Sequence, residues 1–212
     1  MSEVPSRSKR AQALIAVVAV TAGLGVGAVL ALTMHRSAVA APVVISPSSN
    51  VIGAPLTRQP TPALTGLTDQ YGKTISLSAY KGQLVLLAFM DPLCVNLCPV
   101  LGRDIVAVEQ ALPKAIKPAL LIVSVTSGRT PADVQEFIKT NLSTQWNPGW
   151  HWLIGPSDVA LKLTWLAWGE PLEPPKTNYL DVIDPQGYLR VSYPAPLYVS
   201  DVVSAIKTVA SE

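Results

Sequence analysis

Residues 62–212 are predicted to form an α/β fold, a mixed central sheet with helices on both faces and an N-terminal hairpin, preceded by one transmembrane helix. Three observations predict it. "LVLLAFM" and "ALLIVSV" are continuous apolar runs without polar alternation, as in strands covered on both faces. Between and after them lie segments with helical apolar spacing, and alternating strands and helices require a layered sheet. Ahead of them, Ala11 to Met34 is 24 residues without a charge.

Taken in order, residues 1–10 form a short N-terminus carrying Arg7, Lys9 and Arg10. As a helix, residues 11–34 would run about 36 Å, against about 30 Å of hydrocarbon core, so they are read as a membrane anchor. The basic cluster precedes the span, which puts the N-terminus in the cytoplasm and everything after Met34 on the extracytoplasmic side. Ala38-Val39-Ala40 fits a cleavage site, so a removed signal peptide is the competing reading. Both readings export the rest of the chain. Gly23 and Gly27 form a G-x-x-x-G that can bring two helices close.

Residues 35–61 are rich in Pro, Ser, Ala and Thr and read as an extended tether. In "LTGLTDQYGKTISL", Gly72 supplies the turn of a hairpin. Leu84–Met90 is the first central strand. Pro99 suits the first position of a helix whose apolar face is Leu101, Ile105, Val108 and Leu112. A second strand runs from Ala119 to Val125. Thr130 and Pro131 then cap and open a helix through Leu142. "WHWLI" is the third strand, and the helix after it closes at Gly169. The strands "YLDVID" and "YLRVSY" flank the turn "PQG", and a helix from Val199 to Ala210 ends the chain.

Charge excludes one class of function. Residues 1–36 hold four Lys/Arg and one Glu, so the remainder has 12 Lys/Arg against 13 Asp/Glu, a net −1 with no basic footprint for nucleic acid. No phosphate-binding glycine loop, zinc-protease helix or serine elbow is visible.

The two cysteines, Cys94 and Cys98, stand in "FMDPLCVNLCP". In the predicted fold Cys94 lies in the loop after the first central strand and Cys98 caps the next helix. A helix N-terminus stabilises a thiolate, the form that acts as nucleophile or metal ligand. Three intervening residues allow a reversible disulfide, two soft donors to one ion such as Cu(I), or a structural staple. So short a loop makes an inefficient staple.

"FMDPLCVNLCP" resembles the D-P-x-C-x-x-x-C-P element of the Sco/SenC family, with Asp91, Cys94, Cys98 and Pro99 matching. "DQYGKTISLSAYKGQLVLLAF", "WHWLIGPSDVALKLTWLAWG" and "VIDPQGYLR" resemble other family segments, so the similarity spans the whole of residues 62–212. The resemblance implies a thioredoxin-like three-layer fold on a single-pass anchor. It also implies a role in copper-site assembly of cytochrome c oxidase, as copper chaperone or as reductant of the target cysteines. A cytochrome c oxidase subunit, or another thiol or copper protein, is the implied partner.

The family's copper ligands are the two thiolates and a histidine in a pattern like H-T-x-x-x-Y-x-I-D-P-x-G. In "KTNYLDVIDPQG" Lys176 stands at the histidine and Asp181 at the tyrosine. A protonated lysine has no lone pair for a metal. Beside Cys94 and Cys98 it would instead stabilise a thiolate; the alternative is a solvated loop residue. "SVTSGRTP" resembles the family's S-V-D-P-x-R-D-T-P but lacks both aspartates and one residue. Substitute ligands would be His151, read as part of an aromatic strand, His35 at the membrane exit, or Met90, read as core. The five tryptophans are read as core and helix contacts. The expected redox pair is therefore Cys94 attacking, if it is the more exposed, and Cys98 resolving. Two alternatives stay open beside copper handling: thiol-disulfide oxidoreductase activity without metal, and a scaffold that keeps the disulfide for stability.

Overall fold

The computed structural model describes residues 58–64, 66–172 and 178–212. The expected anchor at 11–34, the Ala38–Ala40 site, Gly23, Gly27, His35, Lys176 and most of the tether lie outside them. No helix among the described residues is long and apolar enough to cross a membrane.

The strands are β1 (Gln59–Pro60), β2 (Leu67–Asp69), β3 (Thr74–Ile75), β4 (Val85–Met90), β5 (Ala119–Ser124), β6 (His151–Gly155), β7 (Tyr179–Ile183) and β8 (Tyr188–Pro194). The α-helices are α1 (Leu97–Ala111), α2 (Pro131–Phe137), α3 (Asp158–Trp168) and α4 (Val199–Ala210). One sheet holds the strands in the order β1-β8-β7-β4-β5-β6-β2-β3. Only β4, β5 and β6 run parallel. β7 and β8 return antiparallel beside β4, and the β2–β3 hairpin pairs antiparallel with β6.

Every residue of β4 is buried, which its unbroken apolar run foretells. Leu86, Ala88 and Met90 face one core, with Leu101, Ile105 and Val108 of α1, Val134 and Phe137 of α2 and Val202 and Ile206 of α4. Val85, Leu87 and Phe89 face the other, with Leu161, Trp165 and Trp168 of α3. The sheet is thus sandwiched by three helices and by one. Trp150 and Trp152 fill the first core and Trp165 and Trp168 the second, while Trp146 packs half-buried against Trp150. Each fully buried large apolar side chain contributes on the order of 2 kcal/mol.

Thr130 and Asp133 exchange bonds in a capping box with Pro131 at the first helical position, and Gly169 ends α3 at φ 76. Three details depart from the sequence reading. β1 begins inside the segment read as tether: Gln59 and Pro60 pair with Leu189 and Tyr188, an edge position where a missing proline N–H is harmless. The helix expected to reach Leu142 is α-helical only to Phe137 and widens into a π turn over Ile138–Leu142, where Asn141 Nδ2 bonds the Phe137 carbonyl. The third departure concerns the cysteines directly, because α1 starts at Leu97 rather than at Pro99.

Candidate thiol site

Cys94 lies in the loop leaving the carboxyl end of β4, and Asn96, not Cys98, is the N-cap of α1. Cys98 is the second residue of the helix and Pro99 the third. That is allowed because the first-turn N–H groups have no intrahelical acceptor, so a proline there forfeits nothing. The N–H of Cys98 uses its freedom to donate to Cys94 Sγ at 3.4 Å. The N–H of Asp91 donates to Cys98 Sγ, also at 3.4 Å. The two thiols are free and in hydrogen-bond contact with each other.

Their environments differ. Cys94 is partly exposed, whereas Cys98 is only 1 % exposed. Partial burial alone would push the Cys94 thiol up. The Cys98 thiol and the N–H groups of Cys98, Asn96 and Leu97 outweigh it, so Cys94 titrates below the ordinary range for a cysteine. Burial pushes the Cys98 thiol far up, and the neighbouring Cys94 sulfur adds to the rise against the Asp91 N–H. Cys94 is the sulfur shifted toward thiolate and Cys98 the one shifted toward thiol. Around Cys94 the loop exposes Leu93, Val95 and Leu97, with Val95 at 84 %.

Asp91 fixes the loop. Its carboxylate accepts hydrogen bonds from Nε and Nη2 of Arg129 at 2.8 Å, the Thr126 hydroxyl at 2.9 Å and the Leu93 N–H at 3.0 Å. Burial would raise its pKa, but these donors hold it below the usual carboxylate range. Arg129 and Thr126 belong to "SVTSGRTP". Asp91 was legible from the cysteine motif, but its partners, more than 30 residues away, were not.

Asn178 is a further site residue that the sequence did not reveal. Its Oδ1 lies 3.1 Å from Cys98 Sγ, and its backbone carbonyl accepts the Ala195 N–H at 3.0 Å. Nothing local marks this asparagine. The β7–β8 register brings it to the cysteines.

Of the substitute ligands, His151 and Met90 lie within the described residues, and both are committed elsewhere. His151 begins β6, level with Leu121 in the middle of β5, and its Nδ1 is 2.6 Å from the buried Asp69 carboxylate. Met90 is fully buried in the core beneath α1. Among the described residues no three His, Cys, Asp or Glu side chains gather as a metal site. Two sulfurs and the hard amide oxygen of Asn178 do not make the three-ligand copper site that the resemblance implies.

Asp181, at the family's tyrosine position, lies on the opposite face of the sheet. It is buried beside Leu87, accepts a hydrogen bond from Ser192 and sits near Glu170 and Tyr179. Burial raises its pKa to about 7; the Ser192 bond opposes this and Glu170 reinforces it.

No family model matches the sequence, and no curated protein matches it. Solved structures do. BsSco, a member of the Sco family of cytochrome c oxidase assembly proteins in which a disulfide switch was identified, is 19% identical, with 74% of this chain and 96% of that one covered at a TM-score of 0.60. Bradyrhizobium japonicum ScoI with copper bound is 20% identical over 70% of this chain and 99% of that one, at 0.58. The thioredoxin domain of a Bacteroides vulgatus thiol-disulfide oxidoreductase is 21% identical over 73% and 96%, at 0.54. The described residues have the thioredoxin-like fold that Sco/SenC proteins share.

Proposed function

We propose that this chain is a Sco-type assembly protein whose Cys94–Cys98 pair carries out thiol–disulfide exchange. Its target is the cysteine pair of a copper site in a cytochrome c oxidase subunit, on the extracytoplasmic side of a membrane that residues 11–34 span. The observation that carries the reading is the asymmetry of the pair: helix-start N–H groups and the Cys98 thiol converge on the partly exposed Cys94 sulfur, while Cys98 stays buried and protonated.

The Cys94 thiolate attacks one sulfur of the target disulfide. A mixed disulfide forms and the other target sulfur leaves as a thiolate. Cys98 then gives up its proton, which the departing thiolate takes. Its own thiolate attacks Cys94 Sγ, the Cys94–Cys98 bond forms, and the second target thiolate is released to take a proton from water. Two electrons pass from the pair to the target. The apolar rim of Leu93, Val95 and Leu97 suits a protein partner rather than a small hydrophilic thiol. Copper is the target's cargo here: Lys176 stands where the family's pattern has histidine, and among the described residues no third His, Cys, Asp or Glu joins the two thiols as a metal site.

Anaerobic Cu(I) titration of the reduced full-length protein tests the reading. Wild type binds no more Cu(I) than a dithiol peptide does, Lys176→His gains tight stoichiometric binding, and Cys94→Ser abolishes exchange. Tight stoichiometric binding by wild type would overturn the assignment in favour of copper delivery.

A further inference from the structure

The Cys98 thiol has one hydrogen and two acceptors within reach, the Cys94 sulfur and Asn178 Oδ1 at 3.1 Å. We infer that Asn178 is a positioning residue that sets the reduction potential of the pair, by accepting a hydrogen bond that only the dithiol can make. The inference rests on the exchange reading above.

The geometry makes the bond specific to one redox state. Oxidation joins Cys94 Sγ to Cys98 Sγ, removes two electrons and two protons, and leaves no S–H to donate. Asn178 Oδ1 then loses its donor in a site where Cys98 is almost completely buried. Asn178 is itself half-buried, so water replaces the lost donor only in part, and the bond favours the dithiol. The asparagine is also held in place: its carbonyl takes the Ala195 N–H at the end of the β7–β8 ladder. That bond anchors the Asn178 backbone, so the side chain reaches Cys98 from a fixed point on the hairpin. No other described side chain is hydrogen-bonded to Cys98 Sγ besides Cys94 and Asn178; the Asp91 N–H donates to that sulfur and so makes no demand on the thiol hydrogen. Asp91 and Arg129, the charged groups flanking the loop, are paired with each other.

Wild type, Asn178→Ala and Asn178→Asp full-length proteins are equilibrated in glutathione and glutathione disulfide buffers, and the dithiol and disulfide are counted by mass after alkylation. Glutathione disulfide takes the two electrons. Asn178→Ala is expected to oxidise more readily by threefold to tenfold in the equilibrium constant, about 15–30 mV more negative at about 30 mV per decade. Asn178→Asp, with a stronger anionic acceptor, is expected to move the potential the other way. A loss of structure alone would not give opposite signs, and circular dichroism confirms the folds. Equal potentials for wild type and Asn178→Ala, or both variants shifting in one direction, would overturn the inference. The readout needs no protein partner, so a failure to reduce an oxidase subunit would sink the proposed function and leave this result standing.

Discussion

Asp181→Asn removes a buried carboxyl whose protonation state the fold controls. The side chain is buried in β7 with Glu170 nearby, and its pKa stands at about 7 against an ordinary 3.8. A pKa raised in the folded state means that the fold prefers the protonated form. Stability from this group is therefore complete below pH 3.8 and is lost as pH rises through 7. At about 1.4 kcal/mol per unit, the gap of roughly three units makes the ionised form about 4 kcal/mol less stable in the fold. Between pH 5 and pH 8, about 2 to 3 kcal/mol of that difference should appear. Asparagine keeps an oxygen for the Ser192 hydroxyl and cannot ionise. Urea unfolding of the full-length wild type and variant at several pH values is the assay. The variant's stability relative to wild type should climb by about 2 to 3 kcal/mol from pH 5 to pH 8. Parallel curves over that range would refute the reasoning, because they would mean that Asp181 is already charged at low pH or is solvated.

Three other outcomes follow from the same contacts. Cys94 should be alkylated by iodoacetamide at neutral pH at least about tenfold faster than Cys98, read by peptide mass, since only Cys94 is both partly exposed and shifted toward thiolate. Arg129→Ala leaves the half-buried Asp91 carboxylate without two bonds of 2.8 Å, and should lower stability by about 1–2 kcal/mol in thermal unfolding. Gly169→Ala should cost about 1 kcal/mol in the same measurement, because φ 76 at the end of α3 strains any side chain.

The central strands were legible because a sheet covered on both faces leaves an apolar run that nothing else in so short a segment explains. Gly169 and Thr130 were legible because their roles are local: a left-handed turn and a side-chain oxygen two or three residues from its donors. β1 was not, since two residues including a proline carry no strand signal and are held only by β8. The start of α1 was misread because the preference of proline for the first helical position overrode a hydrogen bond that sequence cannot show, from the Cys98 N–H to the Cys94 sulfur. The site followed the same division. The cysteines and Asp91 announced themselves by spacing, whereas Asn178 reaches Cys98 from 80 residues away through a hairpin register. His151 shows the converse: an imidazole with metal-binding chemistry whose strand position commits it to Asp69.

Trapping of the reaction intermediate bears most directly on the division of labour between the sulfurs. Full-length Cys98→Ser and Cys94→Ser proteins are mixed with a disulfide-bonded peptide carrying the target cysteine pair, and the adducts are weighed intact. The assignment of Cys94 as attacker predicts a stable mixed disulfide on Cys98→Ser and none on Cys94→Ser; equal adducts on both, or an adduct only through Cys98, would contradict it.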